Sequence, residues 1–182
     1  KDIGTLYFLL GSWGGILGMS ISSLIRIEVG SCGDTLSDPH LFNTLVTSHA
    51  IIMIFFMVMP LMVGGFGNWL MPLMLHCPDM AFPRLNNFSF WMLFSSFILL
   101  ILSGISGEGV GAGWTLYPPL SNSEFHTSCS MDLAILSLHA AGISSIAGSI
   151  NFISTFLNCS GDATPPETIS LFCWSLVLTT IL

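Results

Sequence analysis

From Leu41 to Leu75 the chain carries no Asp, Glu, Lys or Arg. So long an apolar stretch is at home in the hydrocarbon of a bilayer, which a helix of about 20 apolar residues crosses. The stretch exceeds one perpendicular crossing, so it is predicted to tilt, bend or project beyond the membrane. Pro60, Gly64, Gly65, Gly67 and Pro72 mark where it can bend. Composition agrees. Charged residues make up 7% of the chain, against about 25% in soluble proteins. Only helices and closed barrels satisfy their backbone inside lipid, and the apolar runs suit helices. The expected fold is therefore all-α and integral to the membrane. Helices are predicted over about 4–25, 41–75, 88–105 and 133–157, with a fifth over 169–182, in a single partial membrane domain. The chain begins at Lys1 without a Met and ends within Thr180-Ile181-Leu182, which predicts a piece of a longer polypeptide.

Lys and Arg number 3 against 10 Asp and Glu. That balance excludes a nucleic-acid surface, which needs clustered cations, and a polybasic lipid-binding patch. Lys1 and Arg84 fall on one side of the predicted membrane and Arg26 on the other, which places the amino terminus inside. The five cysteines are odd in number and form no C-x-x-C. They read as small packing residues rather than a disulfide framework or zinc cluster. Gly107 to Ala112 imitates a dinucleotide fingerprint, but no strand precedes it.

The residues that could carry chemistry are few. His49 lies about two turns inside the second predicted helix, and His139 a similar depth inside the fourth. An intramembrane imidazole is either a hydrogen-bonded core group or a metal or haem ligand. The two could clamp one haem, as in a b-type cytochrome. His40, His76 and His126 fall in predicted loops and receive no role. Arg26 either snorkels to the interface or donates to a cofactor's carbonyl or carboxylate. Glu28 beside the turn Ser31-Cys32-Gly33 could bind a hard cation. Trp114, ahead of Pro118 and Pro119, fits an interfacial anchor or a lid over a cofactor edge. Asp79 with Asn68, Asn86, Ser144, Ser145 and Asn151 could hold a file of water, or simply hydrogen-bond the helices together. Helix one is crowded with Gly11, Gly14, Gly15 and Gly18, spaced for close helix packing or for lying against a flat cofactor.

Several stretches taken together are more specific. They are Lys1 to Tyr7, Leu24-Ile25-Arg26, His49, Met53 to Pro60, Gly64 to Trp69, Pro78 to Arg84, Asn86-Asn87, Ser89-Phe90-Trp91, Gly113-Trp114-Thr115, Tyr117 to Leu120 and Ile150 to Ile153. In this order the chain resembles subunit I of the haem–copper oxidases, in the form found in mitochondrial cytochrome c oxidases. The resemblance implies the first four helices and part of the fifth of that transmembrane bundle. It implies that His49 is an axial ligand of haem a, whose second histidine lies on a later helix. Arg26 would hydrogen-bond the haem formyl, and Trp114 would lie near the propionates. Glu28 and Gly33 would belong to a sodium or calcium site. Asp79, Asn68, Asn86, Tyr7, Ser89, Ser144, Ser145 and Asn151 would line a proton pathway. It further implies haem a3, copper B and a magnesium site in the full-length complex, with their ligands outside this stretch. The implied partners are subunits II and III, cytochrome c as donor, and dioxygen, in the mitochondrial inner membrane. A related quinol oxidase is the alternative. The chain departs from the family pattern at Ser12, Ser31-Cys32, His76-Cys77 and Ser95-Ser96.

Overall fold

The computed structural model describes residues 1–33, 35–159 and 168–182. Pro165 and Pro166, expected to shape the last connection, lie outside the described residues. The described residues are helical and contain no strand. We label the helices α1 (Asp2–Gly30), α2 (Pro39–Met74), α3 (Pro83–Ile105), α4 (Ser130–Cys159) and α5 (Leu171–Ile181). The first four are long and apolar enough to cross a membrane. Their outward faces are apolar too: Leu9, Ile16, Ile146 and Leu157 are all exposed. The chain is a multi-pass membrane protein.

Most helices run past the apolar stretches, and at α2 the start is set by a cap rather than by hydropathy. Pro39 opens α2, and the Asp38 carboxylate accepts the His40 N–H at 2.9 Å. Proline suits a first-turn position, where the N–H it lacks would have no intrahelical acceptor. Pro83 opens α3 in the same way. His40 therefore sits in the first turn of α2 rather than in a loop.

The bend expected in α2 takes a particular form. Residues Ile52–Val58 and Pro60–Gly67 are π-helical. Pro60 lacks an N–H, and its ring crowds the carbonyl four residues earlier, that of Phe56. The wider π turn relieves that crowding without ending the helix.

The glycines of α1 settle what that helix lies against. A Cβ on Gly14 would stand 2.7 Å from the Phe56 carbonyl oxygen. One on Gly11 would stand 2.7 Å from Leu61, and Gly15 and Gly18 face Met57 and Met53. The seam is helix packing of α1 on α2, and the flat-cofactor reading of these glycines is not upheld.

Helices α3 and α4 run antiparallel through a ladder of serines. Ser89, Ser96 and Ser103 recur every seven residues on α3, and Ser130, Ser137 and Ser144 do the same on α4. All six are buried. Ser89 donates to the Ser144 carbonyl at 2.8 Å, and Ser144 returns a bond to the Ser89 carbonyl at 2.7 Å. Ser96 and Ser137 repeat the exchange at 2.6 and 2.7 Å. Ser130 donates to the Ser106 carbonyl at 2.8 Å. A seven-residue period keeps small residues on one seam, as in a coiled coil. In lipid such a seam does what an apolar stripe does in water. It brings backbones close and adds interhelical hydrogen bonds of about 1 kcal/mol each.

Candidate functional site

His49 lies ten residues into α2, about 15 Å from its start at 1.5 Å per residue. Its Nδ1 is 2.9 Å from the carbonyl oxygen of Gly18 on α1. A carbonyl only accepts, so Nδ1 carries the proton and the neutral ring keeps a lone pair on Nε2. No hydrogen bond to Nε2 occurs among the described residues. The glycine seam brings α1 close enough for this bond. An imidazole with one nitrogen held by a backbone carbonyl and the other bare is how protein histidines are oriented toward a metal. The residues present therefore fit a haem iron.

The long segment between α3 and α4 folds over this end of α2. Gly113 donates its N–H to Thr47 Oγ1 at 3.1 Å, two residues before His49. Gly109, at φ +74°, lies against the Thr44 methyl, where any side chain would collide. Val110, Ala112 and Leu116 pack on Met131 and Ala134 of α4. His126 holds the segment together from within. It is buried, with Nδ1 donating to the Leu120 carbonyl at 2.7 Å and Nε2 accepting the Gly111 N–H at 3.1 Å. Trp114, next to the pinned Gly113, remains exposed beside this end of the bundle. Replacing His126 with alanine strands a buried donor and a buried acceptor, at about 1–3 kcal/mol each. The expected result is faster proteolytic cleavage between Ser106 and Cys129. Unchanged cleavage would show that the imidazole does not fasten the segment.

Arg26 is exposed near the end of α1, and no ion pair to it occurs among the described residues. The Glu28 carboxylate is already engaged. Its Oε2 accepts the Leu36 N–H at 3.0 Å and the Thr35 hydroxyl. It thereby closes the turn that contains Gly33, at φ +142°. No cluster of three or more His, Cys, Asp or Glu suited to a metal occurs among the described residues.

A second set of predicted residues gathers around one cavity of about 440 Å³, lined in part by Tyr7, Asn68, Asn86, Ser89, Ser144 and Ser145. Tyr7 and Ser89 hydroxyls are 2.8 Å apart, and those of Ser89 and Ser144 are 3.2 Å apart. Asn86 Nδ2 donates to Asn68 Oδ1 at 2.7 Å, and Asn68 Nδ2 to the Gly64 carbonyl at 2.6 Å. Hydroxyls from α1, α3 and α4 thus form one chain, and amides from α2 and α3 another. Asn151 is fully buried on α4. Its Oδ1 accepts the Phe82 N–H at 2.9 Å, whereas its Nδ2 has no protein partner. An orphaned buried amide is a place for an ordered water. Asp79 is exposed in the turn before α3, its carboxylate accepting the Met80 N–H at 2.8 Å.

The two-histidine clamp is not favoured. His139 is exposed on α4, with Nδ1 on the Ile135 carbonyl of its own helix at 2.8 Å, whereas His49 is half-buried with Nδ1 on α1.

The family model for Cytochrome C and Quinol oxidase polypeptide I matches residues 2–182. The chain belongs to that family. It is 49% identical over 183 residues to Cytochrome c oxidase subunit 1 of Pecten maximus, covering 100% of this chain and 38% of the relative. It is 47% identical to the proteins of that name from Yarrowia lipolytica and Mytilus edulis, again over 100% of this chain and over 34% and 33% of the relatives. The chain thus spans about a third of the length of these relatives. Membership in the oxidase polypeptide I family implies haem and copper cofactors in the full-length protein.

Two features of this family member escaped the sequence reading. His126 looked like a loop residue because its burial depends on a segment with no helical period. The serine ladder was legible in the seven-residue spacing, but isolated serines in apolar helices read as polar substituents until both helices are aligned. The packing-residue reading of the cysteines holds for buried Cys173 and fails for exposed Cys32 and Cys129.

Proposed function

We propose that the full-length protein is the oxygen-reducing subunit of a cytochrome c oxidase in the mitochondrial inner membrane. In this reading the present stretch supplies one axial ligand of haem a and the first part of a proton route. The carrying observation is His49, with Nδ1 fixed on the Gly18 carbonyl and Nε2 bare. Haem a supplies a one-electron centre when bound. His49 would hold its iron, Arg26 would donate to its formyl, and Trp114 would lie near its propionates. Glu28 and Gly33 would contribute to a sodium or calcium site at the same end.

The proton route begins at exposed Asp79 and passes Asn151, Asn68 and Asn86. It continues along the Tyr7, Ser89 and Ser144 hydroxyls and Ser145. Hydroxyls that both donate and accept can pass protons through intervening water, which the cavity has room for. Haem a3, copper B and magnesium would be held outside this stretch. Electrons would come from cytochrome c through subunit II, with subunit III in the same complex. The relatives' names favour cytochrome c over quinol as donor.

The test is oxygen consumption by membranes that carry the full-length protein. Reduced cytochrome c is expected to support turnover and quinol is not. Asp79→Asn is expected to lower turnover by about a hundredfold, the low end of what a positioned proton-transfer group contributes. Quinol-driven turnover would overturn the donor assignment. An unimpaired Asp79→Asn protein would overturn the proton route.

A further inference from the structure

The turn between α2 and α3 lies along the end of α4 in a fixed register. Phe82 donates its N–H to Asn151 Oδ1 at 2.9 Å, and Ala81 donates to Thr155 Oγ1 at 2.9 Å. One turn beyond Thr155, on the same face of α4, stands Cys159. Farther back along the turn stands Cys77, whose N–H donates to the Pro72 carbonyl at 2.8 Å and so anchors it to the end of α2. Both cysteines are half-buried against one cluster containing Met71, Met80 and Phe156. The Cys77 thiol donates to the Leu75 carbonyl at 3.5 Å, and the Cys159 thiol lies close enough to perturb it.

We propose that Cys77 and Cys159 form a dithiol site, which a low-molecular-weight disulfide closes into an intramolecular bridge between the α2–α3 turn and the end of α4. One cysteine thiolate attacks the reagent, forming a mixed disulfide and releasing one small thiolate, which takes up a proton. The second cysteine loses its proton and attacks the sulfur of the first, expelling the other small thiol. One reagent S–S bond and two protein S–H bonds are lost; one protein S–S bond and two small-molecule S–H bonds form. Two electrons pass from the protein to the reagent.

The neighbourhood sets the rate. Burial, and then the adjacent Cys159 thiol, push the Cys77 thiol up to about 12 from 9.0. Only the thiolate attacks, so attack by Cys77 is slowed relative to an unperturbed thiol and accelerates as the pH is raised. The bridge would fix the turn that carries Asp79.

The test uses the full-length protein solubilised from membranes in detergent, so that both faces meet the reagent, treated with glutathione disulfide, blocked with an alkylating reagent and mapped by mass spectrometry. Exposed Cys32 and Cys129 serve as controls. They are expected to carry glutathione, whereas Cys77 and Cys159 appear in one cross-linked peptide without it, restored to thiols by dithiothreitol. In Cys77→Ser, a near-isosteric change, the cross-link is expected to vanish and Cys159 to take glutathione. Separate glutathione adducts on Cys77 and Cys159 in the wild type would overturn the pairing. So would a Cys159 to Cys173 cross-link, or two alkylated thiols under conditions that modify the controls.

Discussion

Replacing His49 with alanine in the full-length protein is expected to remove the low-spin haem band from the reduced-minus-oxidised spectrum while leaving an assembled protein. The expectation follows from the two ring nitrogens having different surroundings. Nδ1 is occupied by the Gly18 carbonyl, so only Nε2 can reach a metal. The structural cost of the substitution is the loss of that one bond between α1 and α2. Such interhelical bonds contribute about 1 kcal/mol. The glycine seam that joins these helices elsewhere is untouched. Assembly and haem ligation thus separate in a single variant. An assembled His49→Ala protein with an unaltered low-spin spectrum would falsify the ligand assignment. His49 would then be an interhelical hydrogen-bonder only.

The second large effect is expected at Gly14. A single methyl there would stand 2.7 Å from the backbone oxygen of Phe56. A flexible side chain could swing away, but a backbone carbonyl moves only with its helix. The neighbourhood is rigid in a further way. Phe56 lies four residues before Pro60, where the ring already constrains the carbonyl, and its fully buried side chain stacks on Phe97 of α3 at 4.8 Å. Overpacking of this kind costs about 1–3 kcal/mol, and more where the backbone must shift. Gly14→Ala is expected to fall at the upper end and to lower the yield of assembled protein and its Tm in detergent. Gly104→Ala is the matched control, because a Cβ there meets nothing within 4 Å. Equal behaviour of the two variants would show that α1 and α2 are free to separate at this seam.

How much of this was legible beforehand depends on the range over which each feature is encoded. Apolar runs and absent charges predicted a helical membrane bundle, because lipid leaves the backbone few options. The matching stretches from Lys1 to Ile153 pointed to the oxidase family, and the family comparison agrees with them. Helix ends were less legible. Pro39 and Asp38 set the start of α2 by local capping, which an apolar-run criterion does not register. The histidines show the gap most clearly. His49 and His139 have the same predicted depth, and sequence alone permitted either to face the other. The folded chain separates their settings: His49 is half-buried against Gly18 of a neighbouring helix, and His139 is exposed with its bond to Ile135 of its own helix.

Residue order alone establishes that this chain lives in a bilayer, that it crosses in helices, and where small residues permit close approach. Those properties are local sums over neighbouring residues, read by a solvent that admits few backbone conformations. Which faces meet emerges only in the folded chain: the glycines of α1 on the Phe56 carbonyl, the serines of α3 on those of α4, and Cys159 near Cys77. In lipid no hydrophobic gain selects one apolar face over another. Helix pairing is therefore set by shape and by a few hydrogen bonds between distant residues, which exist only once the helices are side by side.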